Sequence, residues 1–339
     1  MAIARPNFTL IICTYMRPVP LVTLLDSVVK QTWYPDEIII VDGSLNTATE
    51  AALESKHYKN LQYYRVDASN RGLTKQRNYG IQKVSAEATI VCFLDDDTVV
   101  EPDYFEQLVA TYSVFPDALG VGGFIVNVGP WTKVSPGYVP KENEYYFDGW
   151  KRNDSSRFVI RKKLGLMTTN SPCFMPPESH GRSVAFLPPS GKIYAVEQFM
   201  GGVSSFRKSV LDTHKFSTFF EGYGLYEDAE YTLRLSNLGP LYLNTNARLY
   251  HYHDTSGRPN FFKYGKMVIR NGWFVWRTKY PHPTFKARLK WNTIALLLTA
   301  IRGINIITAT DKKSAFWETL GRIAGWWSLV YNQPKMPKS

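Results

Sequence analysis

Short runs of consecutive apolar residues alternate, along the first third of the chain, with segments whose apolar positions recur at helical spacing. Phe8 to Cys13 reads as a buried strand, and Val19 to Gln31 places Leu21, Leu24, Leu25, Val28 and Val29 on one helical face. A second strand runs from Glu37 to Val41 and ends at Asp42, Gly43 and Ser44. A helix near Thr47 to Ser55, a strand near Leu61 to Val66, a helix from Leu73 to Lys83 and a central strand from Thr89 to Leu94 continue the pattern. Alternation at this spacing predicts right-handed crossovers and a mostly parallel sheet with flanking helices, an α/β fold.

Pro102 to Tyr112 predicts a further helix opened by its proline, and Gly120 to Val126 a further strand. Gly129 to Val196 then holds eight prolines among scattered aromatics, too many breakers for long regular elements. A loop-rich stretch of that length is expected to serve acceptor recognition or to form a lid. Gly201 to Leu211 reads as a strand or turn feeding a short helix. Tyr226 to Leu238 reads as a helix stopped by Gly239 and Pro240, and Leu241 to Tyr250 as an edge strand. Beyond Arg258 the chain becomes helical and rich in aromatic residues.

The longest apolar run of that tail, Ile294 to Ile301, is far shorter than the roughly 20 residues of a membrane span, so no crossing is expected. Lys286, Arg288 and Lys290 beside Trp291, and Trp317, Trp326 and Trp327 further on, suit either peripheral membrane contact or packing onto a core. A net charge of +11 invites a nucleic-acid reading, but the basic residues are dispersed and no nucleic-acid motif accompanies them. An anionic sugar donor or the anionic lipid of a cytoplasmic leaflet accounts for the balance. Three cysteines, two of them inside apolar strands, predict a reducing compartment and no zinc site. With no long apolar region near Met1 a cleaved signal peptide is not expected, and cytoplasmic residence follows.

The chemistry concentrates where the central strand ends. Asp95, Asp96 and Asp97 directly follow the apolar run Ile90 to Leu94, and three abutting carboxylates repel one another unless something positive sits among them. Ligands of open α/β sheets gather beyond the carboxyl ends of the strands, so a divalent cation holding a phosphate-bearing ligand is expected here. Asp42 ends the neighbouring strand beside Thr14 and Tyr15, where a carboxylate can accept hydrogen bonds and a ring can stack, although Asp-Gly-Ser is also a common turn. Glu227 and Asp228 open a helix, a position the helix dipole favours for acids in any case, and Glu230 is spaced to pair with Arg234. His251 and His253 follow an apolar strand on one face, where imidazoles either complete a metal shell or simply pack.

Taken in order, Thr14, Tyr15 and Arg17, the Asp42 turn, Asn70 to Gly72 with Arg77 and Asn78, Asp95 to Asp97, Gly201 and Gly202, and Glu227 with Asp228 resemble glycosyltransferase family 2. The resemblance covers about residues 5 to 255, and Arg270 with Asn271 is similar to a pair in many bacterial members. It implies a GT-A fold, Rossmann-like, with a helical C-terminal tail. The implied catalytic domain is 1–255, with 1–127 binding the nucleotide sugar and 128–255, including the insert 129–196, binding the acceptor. A helical, aromatic and basic region, 256–339, follows.

The resemblance further implies an inverting, metal-dependent transfer from a nucleotide-diphosphate sugar to a hydroxyl of a glycan or lipid-linked glycan. Asp97 would hold Mn2+ or Mg2+, joined by His251 or His253. Asp95, Asp96, Thr14, Tyr15, Arg17, Asp42 and Arg77 would line the donor, with Arg258 near the diphosphate. Asp228 would be the general base and Glu227 its fallback. Gly43 stands where many members carry a second acid, which leaves the nucleobase open. Processive synthases of the family carry Gln-x-x-Arg-Trp and several membrane helices; neither is found in this sequence, so one transfer per acceptor is expected, in bacterial-type surface polysaccharide assembly. A noncatalytic carbohydrate-binding protein of the same fold is the alternative. A sugar nucleotidyltransferase would need a glycine-rich loop after the first strand, and Cys13 to Pro18 contains no glycine.

Overall fold

The computed structural model describes residues 5–178, 180–220, 222–252 and 260–336. Strand β1 (Phe8–Thr14) is followed by α1 (Pro18–Val28), β2 (Glu37–Asp42), α2 (Ala48–Glu54), β3 (Leu61–Arg65), α3 (Leu73–Ile81) and β4 (Ile90–Asp95). Next come β5 (Thr98–Val100), α4 (Tyr104–Val114), β6 (Gly120–Ile125), β7 (Thr132–Lys133), β8 (Glu144–Phe147), β9 (Trp150–Asn153) and α5 (Ser156–Lys163). The remaining elements are β10 (Ile193–Val196), β11 (Val203–Arg207), α6 (Lys208–Thr213), α7 (Glu227–Leu235), β12 (Leu241–His251), α8 (Phe261–Lys279), α9 (Phe285–Thr308) and α10 (Lys312–Tyr331).

Two compact units result, one of Met1–Gly129 with Leu187–Gly257 and one of Pro130–Phe186 with Arg258–Ser339. The first holds a sheet ordered β10-β12-β6-β11-β4-β1-β2-β3, with β5 pairing β12. β3, β2, β1 and β4 run parallel, as do β6 and β12, while β11 lies antiparallel between β4 and β6. β2 is buried at every position because helices cover both faces, which is why its sequence is a continuous apolar run rather than an alternation. On one face Leu21, Leu24, Leu25 and Val28 of α1 pack on Leu10, Ile12, Ile38 and Ile40; each such side chain contributes about 1.5–3 kcal/mol of burial. β12, expected at an edge, is flanked instead by β10, a four-residue strand hidden among prolines and glycines.

The second unit carries a small antiparallel sheet, β7-β9-β8. Arg182 pairs with Asp154 through two bonds of 2.5 and 2.8 Å, and its guanidinium lies over the rings of Tyr145, Phe158 and Phe186. Residues 130–186, expected as part of the acceptor half, belong to this unit and are tied to α8. The indole of Trp276 donates to the Pro177 carbonyl at 2.8 Å, and Tyr280 donates to that of Met175 at 2.7 Å. Asn260, Thr284 and Asp311 cap α8, α9 and α10 by accepting backbone N–H bonds. α9 is longer than its apolar run indicates: by length and composition alone its 24 residues are enough to cross a membrane, and among the described residues only this helix qualifies.

Three glycines let β6 sit under large aromatic rings: a Cβ on Gly122 would lie 2.7 Å from Phe199, on Gly120 2.6 Å from Phe206, and on Gly123 2.7 Å from Tyr104. Gly122→Val is expected to lower unfolding free energy by about 1–3 kcal/mol, read as a reduced urea midpoint with an unchanged slope.

Candidate active site

Strand register assembles the site. β1 and β2 end side by side, with Thr14 opposite Asp42, and β4 delivers Asp95 next to Cys13. Beyond Asp95 the chain turns into β5, which pairs with the end of β12 so that Thr98 faces His251. The backbone N–H of Tyr252 donates to the Asp97 carbonyl at 3.0 Å, closing this corner. From the other side β11 runs antiparallel to β4, so the Gly202 carbonyl accepts from the Asp95 N–H at 3.0 Å.

The three acids face different ways. Asp96 is buried and turned toward β1: Thr14 donates its hydroxyl to Oδ2 at 2.7 Å, and Arg17 Nη1 donates to Oδ1 at 3.0 Å. Burial pushes the Asp96 carboxyl up to about 7, against the opposing pull of Arg17 and Thr14. Asp97 meets His251 Nε2 at 2.9 Å and Arg17 at 3.4 Å. Asp95 lies 3.9 Å from the same His251 nitrogen. Ligand atoms of Asp95, Asp97 and His251 all fall within 4.8 Å of one another. Two carboxylates and one imidazole form a donor set that could hold a metal ion. Burial alone would lower the His251 pKa, but the bond to Asp97 and the nearby charges of Asp95, Asp97 and Asp96 raise it. Asp95, expected at the donor sugar, therefore joins Asp97 and His251; His253 and Arg258 lie outside the described residues.

The opposite wall is built on two glycines. A Cβ on Gly202 would sit 1.9 Å from Asp95 Cγ, and one on Gly201 would sit 2.5 Å from Arg77 Nη1 and 2.7 Å from Glu227 Oε1. Asp228 Oδ2 accepts from the Gly201 N–H at 3.2 Å and Oδ1 from the Ala229 N–H at 2.8 Å. Arg77, expected to line the donor, has its side chain buried. It pairs with Glu227 Oε1, lies 3.5 Å from Asp95 Oδ1, and sits over the rings of Phe93 and Phe216. Burial raises the Glu227 carboxyl while Arg77 pulls it back; burial likewise raises Asp228, opposed by its two backbone N–H donors. Glu230 and Arg234 pair at 2.9 Å, as their spacing predicts.

At the third side, Asp42 is fully buried, accepting from the Ser44 N–H at 2.7 Å and from the Tyr63 hydroxyl at 2.8 Å. Tyr15 is exposed, and Met16 adopts a left-handed backbone (φ 59°) with its N–H donated to Ser44 Oγ at 2.7 Å. Gln76 passed unnoticed in the sequence. Its amide donates to the carbonyls of Thr14 at 3.0 Å and Val41 at 2.8 Å, joining α3 to the ends of β1 and β2. The same side chain explains Gly43, where a Cβ would come within 3.1 Å of Gln76 Oε1. Nothing in the sequence flagged Tyr63, whose hydroxyl reaches Asp42 only because β2 and β3 are adjacent.

Residues 9–175, about half of the chain, match the family described as glycosyl transferase family 2. A glucosyl-dolichyl phosphate glucuronosyltransferase of Haloferax volcanii is 31% identical over 137 residues, 40% of this chain and 42% of that protein. The O-antigen chain rhamnosyltransferase RfbN of Salmonella typhimurium is 28% identical over 108 residues, 32% of this chain and 33% of that protein. The matches span less than half the length of either relative. Among solved structures, S. aureus TarS 1-349 superposes with a TM-score of 0.50 at 12% identity, covering 96% of this chain and 81% of that one. GalNAc-T7 with UDP, GalNAc and Mn2+ gives 0.53 at 15%, covering 98% and 59%. At these identities the structural likeness speaks for the GT-A fold alone.

Removing the buried cation exposes its structural weight. Arg77→Met, which leaves Glu227 and Asp95 facing each other, is expected to cost about 3 kcal/mol of stability near neutral pH. Because burial already raises the Glu227 carboxyl, protonation relieves the repulsion, so the deficit should narrow as pH falls; urea titrations at several pH values measure both. Its ordered motifs, its sheet and the match over residues 9–175 together place this chain in glycosyl transferase family 2.

Proposed function

We propose that the chain is an inverting, metal-dependent glycosyltransferase that moves a sugar from a nucleotide-diphosphate donor to a hydroxyl of a glycan or lipid-linked glycan. The observation that carries this reading is the convergence of Asp95, Asp97 and His251 on one side of Gly201–Gly202 and of Asp228 on the other. Asp95, Asp97 and His251 would hold Mn2+ or Mg2+, which when bound neutralises charge on the departing diphosphate. Asp228 takes the proton of the attacking hydroxyl, so that attack on the anomeric carbon proceeds with inversion. It suits that task better than Glu227, whose Oε1 is held by the Arg77 guanidinium.

Tyr15 fits a base pocket at the ends of β1 and β2, its exposed ring able to stack, while the fully buried Asp42, expected to meet the base, instead fixes that corner through Ser44 and Tyr63. Thr14 and Arg17 act at one remove, by fixing Asp96 and so the turn that carries its two neighbours. One sugar is transferred per acceptor, at the cytoplasmic face of a membrane, in assembly of a surface glycan; the named relatives in O-antigen and dolichyl-phosphate chemistry support that setting. A noncatalytic carbohydrate-binding role is the weaker reading, because both acid groups retain a working arrangement.

Hydrolysis and transfer across a panel of nucleotide sugars, with Mn2+ and with a chelator, test the proposal. Asp97→Asn is expected to abolish the metal-dependent rate with the fold intact; a near-normal rate would remove the metal role. Asp228→Asn is expected to lower turnover at least about a hundredfold while donor binding persists. Burial holds the Asp228 pKa above the usual aspartate range, so turnover should fall as pH drops through that raised value. A pH–rate profile with no such acid limb would exclude Asp228 as the base.

A further inference from the structure

Helices α9 and α10 each turn an apolar face outward. On α9, Phe285, Leu289, Leu296, Ile304 and Ile307 recur at the spacing of one helical face and are exposed, Phe285 to 82% and Ile307 to 79%. On α10, Phe316, Trp317, Leu320, Ile323, Trp327 and Val330 do the same. Polar groups share the interior with Trp291, Ile294, Ala315 and Leu329. Buried Glu318 accepts from Arg302 Nε and Arg322 Nη2, both at 2.7 Å, and Asn292 Oδ1 accepts from the Trp326 indole at 2.9 Å. Those pairs also show that the two helices run antiparallel as a hairpin. Water imposes the opposite order on an amphipathic helix, polar outward and apolar inward.

Packing of α10 against α8 also leans on backbone rather than apolar side chains. A Cβ on Gly265 would lie 2.1 Å from the Glu318 carbonyl oxygen, and one on Gly321 would lie 2.0 Å from that of Phe262. Gly321 and Gly325, four apart, therefore bring α10 to backbone contact with α8, a mode of association that needs no apolar side chains between helices. Only 17% of the apolar window of α9 is buried.

Charge identifies what covers the outer face. From Arg258 to Ser339 fifteen Lys and Arg stand against two acids, Asp311 and Glu318, and Glu318 is enclosed by its arginines. Exposed Lys286, Lys312, Lys313 and Lys335 flank the apolar stripes at the helix ends. A second copy of the chain would set this positive charge against itself, whereas an anionic lipid surface complements it. The hairpin cannot cross a bilayer in this packing. α8, held against α10, carries Lys263, Lys266, Arg270 and Arg277, and a crossing would draw all four toward the hydrocarbon.

We propose that α9 and α10 lie half-sunk in the plane of an anionic bilayer surface, their outer tryptophans and leucines among the acyl chains and their flanking lysines at the phosphates. Nothing in this depends on sugar transfer, so the two readings fail separately. The full chain is expected to float with vesicles of equimolar phosphatidylcholine and phosphatidylglycerol, and far less with phosphatidylcholine alone. The double variant Leu296→Gln, Trp327→Gln should lower partitioning at least about tenfold with an unchanged melting temperature. Equal flotation of the variant, or of the parent on both vesicle types, overturns the proposal. So does a soluble dimer that does not float, which would make a second copy the occupant. Thr310→Cys, in the turn between the helices, should react fully with a membrane-impermeant maleimide added outside the vesicles; protection until detergent is added would mean a crossing and overturn the in-plane placement.

Discussion

The buried guanidinium of Arg77 is the interaction on which the acid corner depends. Asp95 from β4 and Glu227 from α7 both meet it, and without it two carboxylates in a water-poor pocket would repel. The rings of Phe93 and Phe216 cover the cation, which strengthens each contact by excluding solvent. Its position is held from both sides along α3. Gln76 fastens the helix to carbonyls of β1 and β2, and Asn78 makes two bonds, of 2.9 and 3.0 Å, with the backbone of Phe216.

Charge compensation therefore comes in two kinds. Asp96 and Glu227 are matched by arginines whose places are set by the fold, and both carboxylates are nearly inaccessible. Asp95 and Asp97 have longer arginine contacts, at 3.5 and 3.4 Å, and also gather with His251, while Asp228 leans on backbone N–H groups. Groups of the first kind build the wall; those of the second converge on one corner. Gly201 and Gly202 separate the two acid sets by no more than a strip of backbone.

Much of this was legible in the sequence, for physical reasons that also mark the limit. Buried parallel strands appear as continuous apolar runs, so β1, β2, β4 and β6 could be read directly, and the acids closing β4 stood out against that background. β5 and β10 are too short for periodicity to register, and with them went the pairing that carries His251 to Asp97 and the interior place of β12. The roles of Arg77 and Gly202 are matters of distance, which spacing along a chain does not encode. Arg302 interrupts the apolar run of α9 and hid its length, because the compensating Glu318 sits on another helix.

Strand order has a temporal consequence. β1 to β4 can pair as they leave the ribosome, but β6 reaches them only through β11, and the histidine opposing Asp97 arrives on β12, the last strand of the sheet. Before it arrives the chain must leave to form part of the second unit and return at residue 187. Until β12 docks, the nascent acidic tip has only Arg17 and Arg77, already synthesised, to meet it, and His251 completes the corner in a late long-range step.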